Sequence, residues 1–243
     1  MVPGYRSLLG APGRLAFVVP GAVGRLPMAM RTLGCVLLIQ GYTGSYGSAG
    51  IVGAVLTVVS AVASPRLGQL ADRHPHRLIL AVSLALQALG TTALIALAAN
   101  DAPLIPLALA AAIVGGSAMP FPSMSRAIWS ARLERGPALE RAFTVESMFD
   151  QVAFIVGPFI AILLAVEVSP AGGLIGALLM TLVASVGFAR LPDIGADELA
   201  ASRDHPPAIQ IGGMQVLIVA FVGLGVLYGA FEVGLVAFAD EHG

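Results

Sequence analysis

Seven apolar stretches, each about twenty residues or longer, leave this chain few folds to choose from. They run approximately over residues 15–39, 49–70, 78–99, 104–130, 143–166, 170–189 and 214–239. A bilayer core about 30 Å thick needs roughly 20 apolar residues at 1.5 Å rise each. Inside it no water is available to the backbone, so each run is predicted to be a helix. Pro120 and Pro122 interrupt the fourth run, which is predicted to kink or unwind toward its second end. Neighbouring helices re-satisfy the carbonyls that such prolines release. A soluble reading fails on composition. Only 11% of the residues are charged and mean hydropathy is +0.89, whereas a soluble domain carries about 25% charged residues. The chain is an all-α polytopic membrane protein.

Arginine placement sets the expected orientation, because cationic loops stay in the cytoplasm. Arg6 and Arg14 precede the first span, and Arg66, Arg73 and Arg77 flank the turn between the second and third. Arg126, Arg132, Arg135 and Arg141 surround the connection from fourth to fifth, and Arg190 and Arg203 flank or sit in the one after the sixth. The alternate loops hold no arginine. A multi-pass protein of the cell membrane is expected, with a cytoplasmic N-terminal tail that is not a cleaved signal and a C-terminus outside. All 13 basic residues are arginine, and without lysine the Schiff-base chemistry of a seven-helix photoreceptor is excluded. A net charge of −1 gives no reason for a nucleic-acid partner. Cys35 is the sole cysteine, so no disulfide forms within the chain.

One connection is long. Residues 191–213 are polar, acidic and rich in Pro and Gly, as a linker is. The expected organisation is therefore a six-helix bundle over 1–190, a cytoplasmic inter-domain loop over 191–213, and over 214–243 the first helix of a second bundle. Residues 24–31 (GRLPMAMR) and 225–232 (GVLYGAFE) share three positions, a weak echo of a repeated unit.

Between the second and third spans lies GQLADRHPHR, residues 68–77. Gly68, one turn before Asp72, is expected to leave a groove for another helix. Asp72 is expected to accept hydrogen bonds from Arg77 or from the N-terminal amides of a neighbouring helix. This string resembles the signature of the major facilitator superfamily, Gly-x-Leu-x-Asp-Arg-x-Gly-Arg-Arg/Lys. Gly68, Leu70, Asp72, Arg73 and Arg77 match it, while Pro75 stands in place of glycine and His76 in place of arginine. The resemblance covers essentially the whole chain. It implies a six-helix bundle of the 3+3 repeat type plus a seventh transmembrane helix, with 68–77 as one side of a cytoplasmic latch. In that family helices 1, 4 and 7 line the cavity and helices 2 and 5 form gates. In the fifth span AFIVGPFIA, residues 153–161, is similar to the antiporter signature Gly-x-x-x-Gly-Pro-x-x-Gly-Gly through Gly157 and Pro158 alone. A mid-helix Gly-Pro opens a carbonyl and bends the helix, so this pair is the expected hinge of helix 5. The arginine signature that the family carries in its fourth helix is not evident.

Charge inside the spans completes the candidate site. Arg25 and Arg31 fall about 15 and 24 Å into the first span at 1.5 Å per residue, and Asp150 falls about 10 Å into the fifth. Glu146 precedes Asp150 by one turn on the same face, and Glu232 lies well inside the seventh span. An ionisable group at mid-membrane costs about 2.5–3.5 kcal/mol or more, so it faces a cavity or a partner. The expected pairs are Arg126 with Glu146 or Asp150, and Arg31 with Glu232. A carboxylate that alternates partners loads and releases a proton, since burial favours its neutral form and an adjacent arginine its charged form. Asp150 and Glu232 are the best candidates for that role.

These features imply a secondary transporter of the facilitator type, exporting small, amphiphilic molecules by proton-coupled alternating access. Its partners would be a small-molecule substrate and membrane lipids, with no cofactor and no metal. An intramembrane enzyme is disfavoured, because all four histidines lie outside the spans. The alternative is a truncated, non-transporting fragment or scaffold that needs the missing helices of a second bundle, or a homodimeric partner, to work.

Overall fold

Prolines and glycines set where the helices begin and end. The structure, a computed structural model, describes residues 10, 12–71, 74–191, 213–221, 223, 224 and 227. Its chain divides into two units, Met1–Ala196 and Asp197–Gly243. Among the described residues of the first, every regular element is an α-helix: α1 Leu15–Val23, α2 Leu26–Thr43, α3 Tyr46–Ala71, α4 His76–Ala99, α5 Leu104–Gly116, α6 Phe121–Arg132, α7 Pro137–Glu167 and α8 Gly172–Ala189. In the second unit, residues 214–221 are helical. Proline stands in the first turn of α2, α6 and α7 (Pro27, Pro122, Pro137) and immediately before α4 and α5 (Pro75, Pro103). Its fixed φ suits a helix start and its missing N–H costs nothing there. Gly44 ends α2 in the left-handed conformation, with φ 67°.

These helices make six segments long and apolar enough to cross a membrane: Leu15–Thr43, Tyr46–Ala71, His76–Ala99, Leu104–Arg132, Pro137–Glu167 and Gly172–Ala189. The first span is α1 followed by α2, and the fourth is α5 followed by α6. The interruption of the fourth falls at residues 117–120, where the prolines place it. The first span is not the continuous helix that its apolar run predicts: the chain breaks at Gly24–Arg25, because Pro27 has no N–H to offer the carbonyl of Val23. The fifth span starts at Pro137, not at 143. Glu140 lies in its first turn, where a carboxylate complements the helix dipole.

Packing reveals the repeat. The fourth span packs on the second as the first packs on the fifth, and the first meets the sixth as the fourth meets the third. Advancing every span by three therefore maps the main contacts onto one another, as a 3+3 bundle requires. The two broken spans, first and fourth, are equivalent under this operation. In a bilayer, close packing replaces the hydrophobic effect as the force between helices. Gly115 lies against the carbonyl oxygen of Leu56, and a side chain on Gly34 would meet the backbone nitrogen of Leu174 at 2.8 Å. Outward faces are apolar: Ile105, Leu109, Phe154, Ile155, Phe159 and Val166 are all more than half exposed, as lipid-facing residues are.

Candidate functional site

The two helix breaks abut. A side chain on Gly24 would stand 2.6 Å from Cγ of Phe121, the first residue of α6, and one on Gly21 would stand 2.9 Å from the Ser125 hydroxyl. The end of α1 is thereby laid against the start of α6. Arg25 emerges between them and is 2% exposed.

Its guanidinium is spent in three directions. Nη1 donates to the carbonyl of Gly21 at 2.6 Å, Nε to Oδ1 of Asp150 at 2.6 Å, and Nη2 to Oε2 of Glu146. Glu146 and Asp150 are one turn apart on α7, so both carboxylates meet it from one face. Glu146 is 1% exposed. Its other oxygen, Oε1, accepts from the Ser125 hydroxyl at 2.9 Å and the Trp129 indole at 2.8 Å, two donors one turn apart on α6. A buried carboxylate supplied with three donors is held in place.

Asp150 is different. Its side chain is 25% exposed, and Oδ2 accepts from Nη2 of Arg126 at 2.7 Å. Arg126 is itself 45% exposed. Asp150 is thus shared between a buried arginine of the first span and a half-exposed arginine of the fourth. Two guanidiniums and two carboxylates make one neutral cluster across spans one, four and five. Aromatic contacts close it: Phe17 meets Trp129 edge-on at 4.8 Å, Arg14 lies over Trp129 and Arg132 over Phe17.

Of the expected residues, the structure brings together Arg25, Arg126, Glu146 and Asp150. Glu146 does not reach for the interface, since it is enclosed by α6. Ser125 and Trp129 were not singled out by the sequence. The signal was present in a serine and the chain's one tryptophan spaced four apart in a span. Arg31, on α2, is 5% exposed and has no ion pair among the described residues. Its expected partner Glu232 lies outside those residues. Gly157 and Pro158 sit within an uninterrupted α7, where a side chain on Gly157 would stand 2.7 Å from Cβ of Ala29 on α2.

The 68–77 turn is partly described. Leu70 and Arg77 are exposed, and Asp72 and Arg73 lie outside the described residues. The groove expected at Gly68 is not filled: among the described residues nothing stands within 4 Å of a side chain placed there. No group of three or more metal-ligating side chains occurs among the described residues.

The family model described as Major Facilitator Superfamily matches residues 26–243. The chain belongs to the major facilitator superfamily. No curated protein and no solved structure matches it. A facilitator is a multi-pass membrane transporter and not an enzyme, which fits the broken helices and the enclosed charge. Arg25 lies one residue before the segment that the facilitator model matches, so its place in the cluster rests on the geometry alone.

Proposed function

We propose that this facilitator is a proton-coupled exporter of small molecules, working by alternating access in the plasma membrane with its N-terminus in the cytoplasm. The observation that carries the reading is Asp150, held at once by Arg25 and Arg126. Protonation removes its charge. Arg25 keeps Glu146 and the Gly21 carbonyl, whereas Arg126 loses the one acceptor that α7 offers it among the described residues. One link between α6 and α7 opens and proton release restores it, while Ser125 and Trp129 keep Glu146 in both states. Such a link, made in one protonation state and absent in the other, is the differential interaction that a conformational change requires. Gly157 supports the outward direction: α7 lies close on α2 two turns from Asp150, where the antiporter-like Gly-Pro pair falls.

Pyranine-loaded proteoliposomes holding the full chain test this. Benzenesulfonate and benzyltrimethylammonium, probes of fixed and opposite charge, are added under an imposed pH gradient. At least one is expected to move protons in wild type, and Asp150→Asn is expected to abolish that movement while probe exchange persists. Exchange that ignores the pH gradient in wild type overturns the coupling.

A further inference from the structure

We infer that the transported molecule carries an anionic oxygen group that Arg31 binds; this rests on the transport reading above, but not on its proton coupling. Arg31 sits on α2, which packs against α3, α4, α7 and α8. It is 5% exposed and its Nε is enclosed with no acceptor, and no described residue pairs with it. A guanidinium keeps its proton in proteins and offers five donors. Buried charge without a partner is the exception in folded proteins and asks for one. The contrast with Arg25, six residues earlier and fully satisfied by two carboxylates and a carbonyl, shows that this bundle does supply acceptors where a cation is structural.

Two more donors are buried and unfilled. The amide nitrogen of Gln87 on α4 and the hydroxyl of Ser185 on α8 have no hydrogen-bond partner among the described residues, and these residues are 2% and 4% exposed. Helices α2, α4 and α8 pack pairwise on one another. Three mutually packed helices thus each enclose a polar group able to donate, one of them cationic. What the Arg31 guanidinium lacks, among the described residues, is an acceptor of negative charge. A cationic substrate would meet repulsion from Arg31, and a neutral one would leave its charge unanswered. A carboxylate, sulfonate or phosphate would meet the guanidinium fork-on, with short charge-assisted bonds.

The test is ligand-dependent thermal unfolding of the purified chain in dodecyl maltoside at one fixed pH, followed by the fluorescence of Trp129. The matched probes are benzenesulfonate, phenyl phosphate, benzenesulfonamide and benzyltrimethylammonium. At least one anion is expected to raise the unfolding temperature, and the neutral and cationic probes are not. Arg31→Gln should weaken that anion by roughly ten- to a hundredfold, the worth of a hydrogen-bonded charge. Arg31→Lys, which keeps the charge and loses the fork, should weaken it less. An equal response to all four probes, no response to either anion, or an anion response untouched in both Arg31 variants overturns the inference. So does a response that appears only in Glu232→Gln, since Arg31 would then be an ion-pair partner and not a ligand group. Anion binding that depends on Arg31, in a protein whose flux ignores pH, supports the inference and overturns only the coupling.

Discussion

Arg25 and Arg126 reach the same carboxylate with unequal consequences. Arg25 is enclosed, so its removal leaves Glu146 as a buried anion without its cation, beside the partly exposed Asp150. Arg25→Ala is expected to destabilise the bundle by about 3–5 kcal/mol, read as a lowered unfolding temperature in detergent. Arg126 is 45% exposed, where solvent and salt screen the pair, so Arg126→Ala should cost under about 1 kcal/mol while reducing pH-driven flux. A comparable loss of stability in both variants would contradict the division of labour between them. Ser125→Ala removes one of two donors from Oε1 of Glu146 and should cost about 1 kcal/mol. That Arg126 pairs with Glu146 or Asp150 is legible in the sequence, because opposite charges near one membrane face need each other; which of the two it takes is not. The reach of Arg25 to Asp150 and Glu146 is not, because it depends on which faces of the first and fifth spans meet. Sequence spacing fixes faces within a helix and is silent about the register between helices.

Among elements, the breaks in the first and fourth spans set the site, and the continuous helices hold it. The break at residues 117–120 is legible because two prolines two residues apart stop a helix whatever surrounds them. The one at Gly24–Arg25 is harder to see: Pro27 stands alone, and Arg25 in an apolar run reads as a buried charge and not as a chain break. The start of α7 is misjudged for a related reason. Hydropathy marks where the membrane begins, but the helix continues into Glu140 and Arg141 beyond it. Close approach is the other element-scale constraint. Gly115→Ala would press a methyl group on the Leu56 carbonyl, and neither backbone can yield locally. A cost of about 1–3 kcal/mol is expected, with the unfolding temperature as the measure. Gly157→Leu should push α7 from α2 and, through it, Asp150 from Arg25. A Gly157→Leu variant that folds and still couples flux to pH would show that this contact does not serve the cluster.

For the molecule as a whole, the 3+3 arrangement and the arginine-bearing loops make a topology that labelling can read. In a Cys35→Ala background, Ser45→Cys and Ala102→Cys should react with a membrane-impermeant maleimide from outside intact cells. His74→Cys and Gly136→Cys should react only after permeabilisation. The reverse pattern would invert the orientation and, with it, the direction proposed for transport. Six spans and their order are legible because twenty apolar residues are a local signal. Which of them carry the repeat becomes visible only once the contacts are known. The neutrality of the Arg25–Arg126–Glu146–Asp150 cluster has a consequence at this scale. With all four groups ionised its charges cancel, so the membrane potential does no work when the cluster shifts across the field. A proton on Asp150 leaves one uncompensated positive charge, on which about 2.3 kcal/mol acts for every 100 mV crossed. On the proposed coupling, voltage acts on this cluster when Asp150 carries a proton and not when it is ionised, whereas it acts on the charge of Arg31 in both states.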